Sequence, residues 1–88
     1  MNKVPAFVTD AKVICYAFIN TSFQRVFLKR KIKALAICQY AGESCFYLFG
    51  CDELWQSVTD TWHQNIEDAK KQADSEYETA TLVWGNAP

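Results

Sequence analysis

The last third of the chain carries one amphipathic stripe, and this stripe constrains the fold more than any other feature. Apolar residues recur there every three or four positions, as on one face of an α-helix, and charged residues fill the other side. The stripe consists of Ile66, Ala69, Ala73, Tyr77 and Ala80. Asn65 precedes it as an N-cap residue, and Glu67 places negative charge in the first turn. We therefore predict a helix that begins at Ile66 and buries one side.

An earlier start of this helix is an alternative. Trp62 lies four residues before Ile66 and extends the stripe, so a helix that begins near Ser57 or Thr59 also fits the spacing. We favour a strand over residues 55–62 instead, because tryptophan, valine and threonine in this segment are typical of strands.

Three apolar runs rich in β-branched and aromatic residues precede this segment. We predict strands over residues 12–19, 31–40 and 44–51. The turn between the last two contains Gly42, which can adopt a positive φ, so these two strands form a hairpin. Residues 55–62 then add a further strand of an antiparallel meander.

The other segments show no single period. We expect residues 1–11 to form an irregular arm whose Phe7 and Val8 pack against the core, and residues 23–30 to form a short helical turn or loop. The apolar residues of the tail, 81–88, should pack back onto the body. With 88 residues there is room for one domain. The predicted fold is α+β, an antiparallel sheet of three to four strands packed against one C-terminal amphipathic helix.

Both faces of the predicted hairpin are apolar. Phe46 and Leu48 point to one face, and Tyr47 and Phe49 point to the other, because successive side chains of a strand alternate. One helix covers only one face. We expect the second face to be covered by residues 12–28, by a second copy or by a different partner. A hydrophobic content of 50% in so short a chain favours a homodimer.

Charge is divided unevenly along the chain. Residues 1–40 hold seven basic side chains and one acid, whereas residues 41–88 hold two basic side chains and nine acids. A basic run interleaved with aromatics suggests nucleic-acid binding through phosphate contacts and base stacking. The run consists of Arg25, Lys29, Arg30, Lys31 and Lys33. The acidic second half and a pI near 5.7 oppose binding to a polyanion, so we keep this function only as an alternative.

The four cysteines do not have the spacing of a zinc site. Cys15, Cys38, Cys45 and Cys51 are separated by 23, 7 and 6 residues, without a C-x-x-C pair. The first ten residues do not resemble a signal peptide, so we expect reduced cysteines and a cytoplasmic location. No uncharged run approaches the roughly 20 residues of a membrane span, and three scattered glycines form no phosphate loop. We expect a soluble protein without a cofactor.

A small thiol enzyme is a second alternative. Cys51, Asp52, Asp60 and His63 are the residue types of a thiol, imidazole and carboxylate site. The same residues are equally those of a buried cysteine, a turn aspartate and a solvated histidine. We favour this simpler interpretation and assign no catalytic residue and no metal ligand.

The sequence of residues 46–77 carries a resemblance. It reads FYLFGCDELW, then VTDTWH, then NIEDAKKQADSEY. This order resembles a group of small uncharacterised bacterial proteins with a β-meander followed by a C-terminal helix, some of which look like immunity proteins of toxin systems. The resemblance implies a non-enzymatic protein-interaction module. In an immunity-like protein, acidic groups such as Asp52, Glu53, Asp60 and Glu67 would face a basic toxin surface.

Overall fold

The computed structural model describes residues 3–19, 26–27, 30–77 and 82–87. Within these residues the chain forms eight strands and one helix. In chain order they are β1 (Phe7–Val8), β2 (Ala11–Phe18), β3 (Val26–Phe27), β4 (Arg30–Lys31), β5 (Ala34–Gln39), β6 (Phe46–Cys51), β7 (Ser57–His63), α1 (Ile66–Glu76) and β8 (Gly85–Asn86).

The main sheet is antiparallel and has the strand order β1-β2-β5-β6-β7, with β8 paired to β2. Within the described residues, strands β3 and β4 pair only with each other, as a two-stranded ribbon in the connection that leads from β2 to β5 along the chain. The predicted α+β class with one C-terminal helix is confirmed. The predicted number of three to four strands is too low, because β1 and β8 extend the sheet to six strands.

The predicted hairpin is formed by β5 and β6, which pair from Ala34 opposite Cys51 to Cys38 opposite Tyr47. Its turn contains Gly42 at φ +82°, as the sequence indicated. The first strand is shorter than predicted, because residues 30–31 pair with β3 instead. The predicted short helical turn or loop over residues 23–30 is wrong at residues 26–27 and 30, which are strand residues. The other positions of this segment lie outside the described residues.

Helix α1 begins at Ile66, as predicted. Asn65 has an extended backbone, and its side-chain oxygen accepts a hydrogen bond from the Asp68 N–H at 2.7 Å, which satisfies one of the exposed amides of the first turn. The alternative start near residue 57 is wrong, because residues 57–63 form β7 and pair with β6. Ala69, Ala73 and Tyr77 of the stripe are buried, while Ala80 lies outside the described residues.

Two buried clusters lie on opposite sides of the sheet. On the side covered by α1, Leu35, Ile37 and Leu48 pack with the helix. On the other side, which we call the helix-free face, the cluster contains Val13, Ala34, Ala36, Cys38 and Phe49. A bulge between Val13 and Cys15 transfers β2 side chains from one face to the other. The predicted division of Phe46 and Leu48 from Tyr47 and Phe49 is confirmed.

Of the three covers expected for the helix-free face, residues 12–28 are wrong at residues 12–18, whereas a second copy and a different partner stay predictions. Residues 12–18 form β2 inside the sheet and therefore do not lie across it. Val8 and Trp55 pack against the small side chains of β5 instead. Two large side chains of this face stay open to solvent, since Phe18 is 48% exposed and Trp62 is 55% exposed.

The arm and the tail each pack some of their apolar residues against the core. In the arm, Val8 is buried as expected, but Phe7 is exposed. In the tail, Leu82 and Trp84 pack against the cluster under the helix, while Val83 is exposed. Both segments are therefore anchored by only some of the apolar residues that the sequence assigned to the core.

The two outer edges of the main sheet differ. On β2, β1 pairs at residues 11–12 and β8 pairs at residues 15–16. Between them the Val13 N–H donates to the Ala6 carbonyl and the Ile14 carbonyl accepts from the Ala87 N–H, both at 2.9 Å. Strand β7 lies at the opposite end, and within the described residues it pairs only with β6. Among the residues that the structure describes, β1 and β8 thus cover one edge, and no strand covers the other.

A tight turn holds β1 in place. Thr9 and Asp10 both have positive φ, at 46° and 68°, as in the two-residue turns that match strand twist. The Thr9 hydroxyl also forms a 3.0 Å hydrogen bond with the Tyr40 hydroxyl.

In the part of the chain described, no helix combines the length and the apolar content needed to cross a membrane.

We predict that Gly50→Ala destabilises the fold by about 1 to 3 kcal/mol, because the added methyl group overpacks the sheet. A Cβ at Gly50 would overlap the Thr59 hydroxyl oxygen and approach Ile32 Cδ1 to 3.2 Å. Urea unfolding measures the effect. Removing the hydroxyl with Thr59→Ala in the same chain should restore part of the lost stability. A double variant no more stable than Gly50→Ala alone would contradict this packing.

Candidate functional site

Three of the four acidic residues predicted to bind a partner lie along β7 and at its two ends. Glu53 lies in the loop before the strand, Asp60 lies in its middle, and Glu67 lies in the first turn of α1 after it. All three side chains are exposed. We call β7 together with these three residues the acidic edge.

The charge around the acidic edge has one sign. Residues 34–69 contain no lysine or arginine. They contain six acids, namely Glu43, Asp52, Glu53, Asp60, Glu67 and Asp68. Since β5, β6 and β7 all lie within this segment, no basic side chain from these strands offsets the charge of the edge.

Asp52, the fourth predicted residue, serves its own loop. Its side chain is buried, and Oδ1 accepts hydrogen bonds from the Leu54 N–H at 2.9 Å and the Gln56 N–H at 3.0 Å. Backbone bonds close the same loop, from the Asp52 N–H to the Gln56 carbonyl and from the Trp55 N–H to the Asp52 carbonyl. Asp52 therefore fixes where β7 begins, which confirms the turn aspartate that we favoured from the sequence.

This loop holds Trp55 in an uncommon conformation. Trp55 has φ +62°, a left-handed backbone that costs a bulky residue roughly 1 to 3 kcal/mol. The bonds to Asp52 and the burial of the indole ring hold it there. The ring packs edge to face against Phe18, with centroids 5.9 Å apart, and closes one end of the helix-free face.

Asp60 and Trp62 lie on the helix-free face of the acidic edge. In the register of β6 and β7, Phe49 is opposite Asp60 and Tyr47 is opposite Trp62. Tyr47 stacks with Phe49 at 6.1 Å, so an aromatic row runs beside the carboxylate and the exposed indole. Trp62 was not among the candidate residues selected from the sequence, because it was weighed only as a strand residue or a helix start. Its alternation with Asp60 was the available signal.

The structure does not assemble the thiol and imidazole of the enzyme alternative. Cys51 pairs with Ser57, and Phe46 pairs with His63, so the two groups lie at opposite ends of β6, about 16 Å apart along a strand. Burial raises the pKa of Cys51 to about 12, which disfavours the thiolate that a nucleophile requires. The His63 ring forms a 2.7 Å hydrogen bond with Thr61 instead.

Other candidate groups are placed as follows. All four cysteines are free thiols, and Cys45 is the one that is only half-buried. Burial also raises the pKa of Cys38 to about 12. Among the residues described here, no three His, Cys, Asp or Glu side chains are grouped to hold a metal ion.

The basic run is only partly described. Arg30 and Lys31 form β4 of the two-stranded ribbon. Lys33 is half-buried and lies just before β5. Arg25 and Lys29 lie outside the described residues. Nucleic-acid binding through this run stays a prediction.

Comparison of the chain with protein-family models, curated protein sequences and solved structures gives no significant match. The acidic edge and its surroundings are therefore the features from which we infer a function.

We predict that Cys51 and Cys38 resist alkylation in the folded protein. Iodoacetamide reacts with thiolates, and a pKa near 12 against the ordinary 9.0 lowers the thiolate fraction about a thousandfold. Peptide mapping by mass spectrometry at pH 8 should find Cys45 modified first. The same treatment in urea should modify all four cysteines. Rapid native modification of Cys51 would contradict the burial and favour the thiol-enzyme alternative.

Proposed function

We propose that this chain is a protein-binding module that holds a basic partner surface against its acidic edge and catalyses no reaction itself. The observation that carries the proposal is the placement of Glu53, Asp60 and Glu67, exposed along one strand and its two ends, within a segment that has no lysine or arginine. Like charges arranged along one rim attract a surface of opposite sign and repel wrong partners.

Two lysines follow this segment on α1. Lys70 has its ammonium group 5.7 Å from the centre of the Trp84 ring, an arrangement that favours a cation–π contact with the tail. Lys71 is exposed four residues after Glu67, the spacing at which it can pair with that carboxylate. Glu53 and Asp60 have no lysine or arginine at this spacing, so they keep the edge negative although the net charge of the whole chain is only -1.

An immunity-like role is the most specific form of the proposal. The resemblance of residues 46–77 to meander-and-helix proteins covers β6, β7 and α1, the elements that carry the acidic edge. A protein of this type would neutralise a toxin by covering its basic surface, and it would act in the cytoplasm that it protects. The partner's identity and the cytoplasmic location are parts of the proposal.

A second copy of the chain is the second candidate partner. The exposed rings of Phe18 and Trp62 on the helix-free face favour it, because exposed aromatic side chains are enriched at interfaces. This contact would use the face of the sheet, whereas the basic partner would use its edge. Both contacts would include Trp62, so a second copy and a basic partner would compete for this side chain.

Charge reversal along the acidic edge tests the proposal. A hexa-arginine peptide with blocked ends is the probe, and fluorescence anisotropy gives its dissociation constant at 50 and 300 mM NaCl. We expect Glu53→Lys, Asp60→Lys and Glu67→Lys each to weaken binding about fivefold, the effect of roughly 1 kcal/mol per lost ion pair. The higher salt concentration should also weaken binding.

Asp74→Lys is the matched control. Asp74 is exposed on α1 after the two lysines, and its reversal changes the net charge by the same amount. We expect less than a twofold effect. If all four variants weaken binding equally, only the net charge acts and the acidic edge is not a site.

A further inference from the structure

We infer that β7 binds an extended, basic segment of its partner as an additional strand of the sheet, with arginine or lysine side chains next to Asp60 and Trp62. This inference rests on the proposed function and states how the acidic edge recognises its partner. In this binding mode, backbone hydrogen bonds between β7 and the added strand supply affinity, and every second side chain of the added strand supplies specificity.

The outer edges of β2 and β7 differ in what covers them. The chain uses both of its ends, β1 and β8, to cover the outer edge of β2. The seven residues of β7 have only β6 as a neighbour within the described part of the chain. Alternate N–H and C=O groups of such a strand point away from the sheet and can pair with an incoming strand.

Strand β7 lacks most of the features that prevent an edge from pairing with another strand. Proteins usually protect a free edge with charged side chains, lysine above all, with proline, with a bulge or with a very short strand. Strand β7 contains neither proline nor lysine. Its bulge lies at the start, near Ser57, and from Thr59 to His63 the strand pairs with β6 without interruption. This regular stretch is long enough for several hydrogen bonds to an added strand.

Strand β7 carries a negative charge at its middle. Asp60 is the central residue of β7 and the carboxylate that the strand itself carries. Two copies that paired antiparallel about this centre would place Asp60 opposite Asp60, and like charges directly opposite are destabilising. A basic segment gains from the same carboxylate. The edge therefore discriminates against a second copy and in favour of a cationic strand.

Asp60 and Trp62 lie side by side on β7. Both point to the helix-free face, two residues apart, so side chains of an added strand would lie about 5 Å from them. An arginine there can form a charge-assisted hydrogen bond with Asp60 and stack on the exposed indole of Trp62. The other side of β7 presents Thr59 and Thr61, which suit small β-branched neighbours. The expected ligand alternates arginine or lysine with threonine or valine.

The probe that tests this mode is the blocked heptapeptide RTRTRTR. It is compared with two analogues that carry N-methyl groups, one on the arginine amides and one on the threonine amides. All three have the same charge. In an added strand only one set of amides faces β7, so one analogue should lose at least about tenfold in affinity and the other should bind like the parent.

Two further readouts locate the contact. Hydrogen exchange followed by NMR should show that the β7 amides not bonded to β6 slow at least about tenfold when the parent peptide saturates the protein. Trp62→Ala and Asp60→Asn should each weaken binding at least about fivefold, whereas Asp74→Asn should change it less than twofold. Thermal unfolding of each variant establishes that the fold is intact.

The outcomes separate this inference from the proposed function. If both methylated analogues bind like the parent and no β7 amide slows, the acidic edge binds basic groups without strand addition, and the inference is overturned while the proposed function stands. If neither RTRTRTR nor hexa-arginine binds, both are overturned. If the β7 amides are already protected without peptide, and light scattering gives twice the chain mass of 10.1 kDa, a second copy occupies the edge and the inference is overturned.

Discussion

The burial of β5 on both sides is the constraint on which the rest of the structure depends. From Ala34 to Cys38 every residue of this strand is buried, so each face of the sheet needs a cover. Helix α1 covers the side of Leu35 and Ile37. The chain has no second helix among the described residues, and on the other side it uses small β5 side chains beneath Val8, Trp55 and aromatic rings.

This arrangement determines how the ends of the chain are used. The N-terminal segment supplies Val8 to the helix-free face and β1 to the edge of β2, and the tail supplies Trp84 to the helix side and β8 to the same edge. Both ends are therefore on the β2 side of the molecule. Strand β7, at the far side of the sheet, keeps an edge that carries negative charge and an exposed tryptophan.

Sequence reasoning succeeded where the signal is local. The Asn65 cap and the stripe through Ala69 and Ala73 identified α1, because capping and helical spacing depend on neighbouring residues. The β5–β6 hairpin was found for the same reason, through its two apolar strands and the turn at Gly42. Glu53, Asp60 and Glu67 were selected as partner-binding candidates, which stays a prediction, and their placement along β7 and at its two ends was not foreseen.

The failures concern tertiary information. Strands β1 and β8 have two residues each, too few to show an alternation of apolar and polar side chains. They are strands because they pair with β2, which the sequence does not show. Asp52 was predicted to lie in a turn, but its spacing does not show that Oδ1 accepts two amides of its own loop, so it was also counted among the partner-binding acids. Cys51 and His63 were considered together because the antiparallel register that places them at opposite ends of β6 is not readable from their separation.

Hydrogen exchange of the protein without ligand tests the central claim most directly, because it compares the two edges of the sheet in one sample. In dilute solution the amide of Val13, which donates to Ala6 at the outer edge of β2, should be strongly protected. The β7 amides that do not bond to β6 should exchange within about tenfold of unstructured-peptide rates. Equal protection of both edges in a sample that light scattering shows to be monomeric would contradict the open edge.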